Sequence, residues 1–135
     1  MIFVDASALI AIIAGENNAD ILTDRIEADR IRFISAMSAW ETVSGLCRTH
    51  AYSMTAAQDI LKRYAATGGF DYVQIGEREY GLATQAYADY GNGRHPAALN
   101  MGNCFAYACA KSNRAALLFT GDHFTKTDIT AALLS

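Results

Sequence analysis

Met1-Ile2-Phe3-Val4-Asp5-Ala6-Ser7-Ala8-Leu9-Ile10 opens the chain. Three large apolar residues in a row, without polar alternation, describe a strand buried on both faces, as in a parallel sheet covered by helices on each side. The strand ends on an acid, and a helix-forming stretch follows at once. In an open parallel sheet the carboxyl ends of the strands share one edge, and that edge is where such sheets bind ligands. Asp5 stands there.

The pattern recurs along the chain. Helices are expected from about Ser7 to Ala14 and from Glu16 to about Asp29, the second through the spacing of Ile21, Leu22, Arg25 and Ile26. Ile31–Ser35 reads as a second strand, and Ala36, Trp40, Val43 and Cys47 then form the apolar stripe of a helix. A helix from Thr55 to about Thr67 is broken by Gly68-Gly69. Strand Asp71–Ile75, a helix from Glu77 to Tyr90, a loop at 91–96, a helix from Met101 to Lys111, strand Ala115–Thr120 and a short piece near Ile129 follow. Strands separated by helices require crossovers and hence a parallel sheet. The expected fold is α/β, a three-layer α/β/α sandwich around a central parallel sheet, in one domain over residues 1–135. No repeat, linker or low-complexity segment divides it.

Composition narrows the class. With 52% hydrophobic and 19% charged residues, the chain is neither disordered nor fibrous. No apolar run approaches the roughly 20 residues of a membrane span, and the opening residues read as a mature strand instead of a signal peptide. Cys47, Cys104 and Cys109 lack metal-ligand spacing and are expected as small buried thiols in a reducing compartment. A net charge of −3 argues against a general nucleic-acid coat. Acids gathered around a cation would nevertheless not repel a polyanion.

Four oxygen-bearing residues follow apolar runs or lie on helices that do: Asp5, Glu41, Asn103 and Asp122. Converged on one sheet edge, they would suit a hard divalent cation such as Mg²⁺. Each also has an ordinary reading. Asp5 occupies a helix N-cap position, although Ser7 could cap instead and hydrogen-bond the Asp5 carboxylate. Glu41 flanks the apolar stripe of its helix, where a solvated acid is usual, but its neighbours Ser38, Ser44 and Gly45 are small. Asn103 is the third residue of a helix that Asn100 could cap. Asp122 follows Gly121 in a turn. Nothing about capping requires these residues to gather at one edge. Arg94 in the Gly-rich loop is a credible phosphate contact. His95 reads as a solvated loop residue, Asp128 as a local cap or turn, and Lys111, Arg114 and Lys126 as surface charges.

Several stretches together are similar to PIN-domain ribonucleases, and specifically to the VapC toxins of bacterial toxin–antitoxin pairs. They are residues 2–9, 34–36 leading to Glu41-Thr42, 90–97, 99–108, and Leu117-Leu118-Phe119-Thr120-Gly121-Asp122 with Phe124 and residues 126–129. The resemblance spans essentially the whole chain. It places the family's acidic site on Asp5, Glu41 and Asp122, with Asn103 where the family has Asp; His123 replaces a second Asp that often follows the first. It implies Mg²⁺ or Mn²⁺ as cofactor and a cytoplasmic endoribonuclease acting on structured RNA (tRNA or ribosomal RNA). It also implies a VapB-type antitoxin partner, a homodimer, and a higher-order complex with the antitoxin. Asn103 removes one charge from the expected metal site, so activity is expected to be attenuated. The alternative is a catalytically silent PIN module acting through antitoxin binding and regulation.

Overall fold

In the computed structural model, which describes residues 1–133, four parallel strands form one sheet in the order β3-β2-β1-β4. They are β1 (Ile2–Val4), β2 (Arg32–Ser35), β3 (Phe70–Val73) and β4 (Ala116–Leu118). Six α-helices connect them: α1 (Ala6–Ile13), α2 (Ala19–Glu27), α3 (Ala36–His50), α4 (Met54–Thr67), α5 (Glu77–Tyr90) and α6 (Met101–Ser112). The α/β/α sandwich expected from the sequence is what forms.

Strand alternation assigns the two layers. Ile2 and Val4 of β1 face a core shared with Leu9 of α1, Leu22 and Ile26 of α2, and Ala65 of α4. Phe3 faces the other way, into a core built from Ala83 and Ala86 of α5 and from the Cys104–Ala110 stretch of α6. All three β1 side chains are fully buried. This explains why the opening run shows no polar alternation.

The sheet order carries the functional geometry. The chain lays down β1, β2 and β3 in one direction, then returns to place β4 on the free side of β1. That reversal creates a switch point beyond the carboxyl ends of β1 and β4, the crevice position of doubly wound sheets.

Helix α3 departs from the expected stripe. Its buried residues are Ser38, Thr42, Gly45 and Leu46, while Trp40 is 67% exposed. The reason is close packing: a Cβ added at Gly45 would stand 2.5 Å from Ile10 Cδ1 of α1. Small residues face inward because the neighbouring helix leaves no room for large ones. Cys47 is correspondingly half-buried, its thiol 3.6 Å from the Met54 sulfur, whereas Cys104 and Cys109 are buried.

Two further readings are corrected by packing. Asp128 is not a local cap: it accepts hydrogen bonds from Tyr107 Oη at 2.5 Å and Lys111 Nζ at 3.1 Å, tying the C-terminal segment to α6. Lys111 is therefore paired. His95 is half-buried edge-on against Tyr90, and its Nδ1 accepts the Ala97 N–H at 3.0 Å.

Candidate active site

Asp5 leaves the sheet still bonded to it, its N–H donating to the Leu118 carbonyl at 2.9 Å. Its own side chain is the N-cap of α1. The Oδ2 atom accepts from Ser7 N at 3.0 Å and from Ser7 Oγ at 2.6 Å. Ser7 Oγ in turn accepts the Thr120 N–H at 3.0 Å. One hydroxyl thus joins the end of β1 to the segment leaving β4 and fixes the carboxylate between them. Burial pushes the Asp5 carboxyl above its ordinary range, the Ser7 hydrogen bonds oppose that, and the His123 charge opposes it further.

Glu41, on α3, reaches the same crevice. Burial raises its pKa to about 7, the Asp5 charge adds to the rise, and Arg48 two turns along the helix pulls it down. No cation forms an ion pair with Glu41 among the described residues. Its carboxyl group lies against Gly102 in the first turn of α6, in the space a Cβ there would fill.

Asn103 follows Gly102, and its side chain belongs to the helix start. Asn103 Oδ1 accepts the Asn100 N–H at 3.1 Å, while Asn100 Oδ1 accepts the Asn103 N–H at 2.9 Å. Asp122 follows Gly121, whose φ of 84° suits glycine. Asp122 is exposed; its carbonyl accepts from Thr125 Oγ1 at 2.6 Å, and its carboxylate makes no hydrogen bond or ion pair among the described residues. Arg94 is exposed, with its guanidinium 5.2 Å above the Tyr87 ring.

Three residues outside the expected metal site contribute here. His123 Nδ1–H donates to the Ala97 carbonyl oxygen, 2.8 Å away, and its charge acts on Asp5. Arg48 shares the helix face of Glu41 at a seven-residue spacing, which was available as a signal. Gly102 gave none, because its role depends on a side chain 61 positions earlier.

Two neighbouring carboxylates in a partly dry crevice, without a paired base, are relieved by a proton or by a cation. Among the described residues no group of three or more His, Cys, Asp or Glu side chains is arranged to hold a metal ion. Among the described residues, then, a cage of three such side chains is not formed. Mg²⁺ rarely requires one: it is commonly held through one or two carboxylates, with waters and phosphate oxygens completing six positions. Asp5 and Glu41 fit that donor set.

A PIN domain family model matches residues 2–129. Ribonuclease VapC30 of Mycobacterium tuberculosis is 36% identical over 131 residues, 97% of this chain and 98% of that protein. Ribonuclease VapC of Mycolicibacterium smegmatis is 34% identical over 128 residues, 95% of this chain and 97% of its own. Among solved structures, Mycobacterium tuberculosis VapC20, described as a sarcin–ricin loop cleaving toxin, superposes with a TM-score of 0.76 at 14% identity, covering 96% of this chain and 97% of that one. A toxin–antitoxin complex from Klebsiella pneumoniae gives 0.69 at 18% identity, covering 100% and 97%. The chain belongs to the PIN-domain family and, within it, groups with the VapC ribonucleases. At these identities the solved structures speak for the fold.

Proposed function

We propose that this protein is an endoribonuclease toxin of the VapC type, dependent on Mg²⁺ or Mn²⁺. The observation that carries this is the Asp5–Glu41 pair: two acids beside the switch point, one fixed by Ser7, the other raised to about 7 with no paired cation. Asp5 and Glu41 would hold the ion, with Asn103 and Asp122 as the remaining expected ligands. A bound dication polarises a scissile phosphate and lowers the pKa of coordinated water, which suits phosphodiester hydrolysis. Ser7 keeps the Asp5 carboxylate from turning, and exposed Arg94 is the proposed contact to substrate phosphate.

Structured RNA, tRNA or ribosomal RNA, is the proposed substrate. A VapB-type antitoxin is the proposed partner, in a higher-order complex with a homodimer of this chain. The naming of the relatives as VapC ribonucleases supports RNA as the substrate class, and a toxin–antitoxin complex among the structural neighbours is in keeping with an antitoxin partner. No helix among the described residues is long and apolar enough to cross a membrane, and a cytoplasmic site of action accords with an RNA substrate.

One observation favours a second reading, a silent PIN module acting through antitoxin binding. Asn103 Oδ1 is engaged by the Asn100 N–H, and the position carries no charge. Cleavage of total tRNA and ribosomal RNA in Mg²⁺, beside Mn²⁺ calorimetry, separates the two. Cleavage and binding that both disappear in Asp5→Ala support the nuclease. Metal binding without cleavage supports the silent module, and equal Mn²⁺ binding by wild type and Asp5→Ala removes the metal site. Sedimentation at twice the chain mass tests the homodimer; a clean monomer that forms no complex with a co-expressed VapB-type antitoxin would overturn the proposed assembly.

A further inference from the structure

The Glu41 carboxyl group occupies the space above Gly102 so closely that a Cβ at residue 102 would overlap its Cδ and both oxygens. Glu41 supplies all three of the nearest atoms. Gly102 is the second residue of α6, capped by Asn100. Its backbone conformation does not require glycine: φ is not in the left-handed region. By helix propensity, alanine would be the better residue there. The reason for glycine is therefore steric, and it belongs to Glu41.

We infer that Gly102 is a positioning residue, a seat on the first turn of α6 that holds the Glu41 carboxylate in the crevice with Asp5. The atoms that would be displaced are the far end of a flexible side chain. A methyl group at 102 would therefore swing Glu41 outward and leave the fold intact. Residues 41 and 102 are then complementary in size: a larger residue at 102 demands a shorter acid at 41. The α3–α6 approach thus sets where one of the two acids stands. The consequence for cation binding rests on the metal-dependent reading above; the seat itself does not.

The test compares wild type, Gly102→Ala, Glu41→Asp and the double variant. Without metal, NMR should show cross-peaks between the Glu41 γ protons and the Gly102 α protons, lost or weakened in Gly102→Ala while the circular dichroism spectrum is unchanged. Absence of these cross-peaks in wild type overturns the seat. In calorimetry, Gly102→Ala should weaken Mn²⁺ binding by about 10–100-fold, the range typical when a ligand's supporting partner is altered. Glu41→Asp alone should weaken it too, yet adding Glu41→Asp to Gly102→Ala should recover affinity instead of multiplying the losses. Wild-type affinity in Gly102→Ala, or fully multiplicative losses in the double variant, overturns the inference. Cross-peaks present with no Mn²⁺ binding by any form would leave the seat standing and overturn the metal-dependent reading.

Discussion

Asn100 and Asn103 cap one another across the first turn of α6, each amide oxygen accepting the other's backbone N–H at 2.9 and 3.1 Å. An aspartate at 103 keeps this geometry, because a carboxylate oxygen accepts the Asn100 N–H equally well. It also places negative charge at a helix N-terminus, where it is favoured.

Asn103→Asp should therefore fold at least as stably as wild type and cleave RNA faster. Restoring a charge beside the proposed cation is worth several kcal/mol at the transition state, or roughly two orders of magnitude in rate. The assay is initial rate on total tRNA and ribosomal RNA in Mg²⁺, with Asp5→Ala as blank. Equal, robust rates for both forms would show that position 103 is no ligand.

Stability should depend on pH through Glu41. Unfolded, this carboxyl titrates near 4.5; folded, near 7. Between those values the folded chain holds a proton that the unfolded chain has released, so stability falls as pH rises across that window. Water reaching the half-exposed group moderates the fall. In EDTA, the thermal midpoint should be lower at pH 8 than at pH 5, and Glu41→Gln should flatten much of that difference. An identical drop in both proteins would contradict the assignment.

Ser7→Ala removes the hydroxyl that donates to Asp5 and accepts from Thr120. The Thr120 N–H is left without its partner in a part-buried position, at a cost of roughly 1–3 kcal/mol. Urea unfolding should show that loss, and Ser7→Thr, which retains the hydroxyl, should show little of it.

Asp128→Ala should destabilise by about 1–2 kcal/mol, because the Tyr107 hydroxyl and Lys111 lose a shared acceptor. Tyr107→Phe in the same background should add little, since the two changes break one network. Strict additivity in denaturant melts would argue that Asp128 does not anchor the C-terminal segment.

The elements were legible wherever a local cause sets them. The unbroken apolar run at Ile2–Val4, the Asn100 cap and the Gly68-Gly69 break mark boundaries that the structure shares within a few residues. Asp5 and Glu41 stand out in the sequence through their position after buried strands, and the fold brings them close enough for the Asp5 charge to act on Glu41. What stayed hidden depended on distant packing. Trp40 suggested an inward stripe, but α3 turns Gly45 and Thr42 inward because α1 lies so close. Asp128 resembled a turn residue until Tyr107 and Lys111 came within reach. His123 registered as a departure from the family pattern, while its effect on Asp5 required the two loops to meet.

The edges of the sheet are treated differently. Beside β4, Leu117 N–H donates to the Thr130 carbonyl at 2.9 Å, and Ala132 N–H donates to the Leu117 carbonyl at 2.8 Å, so the C-terminal segment covers that border. The opposite border, β3, is uncovered in the sheet order and carries exposed Asp71 and Tyr72. An unpaired strand is a template for aggregation unless charge or shortness blunts it, and β3 has four residues and an acid. Asp71 therefore acts as a gatekeeper against strand-to-strand association, and a neutral β-branched residue in its place would expose a self-pairing edge.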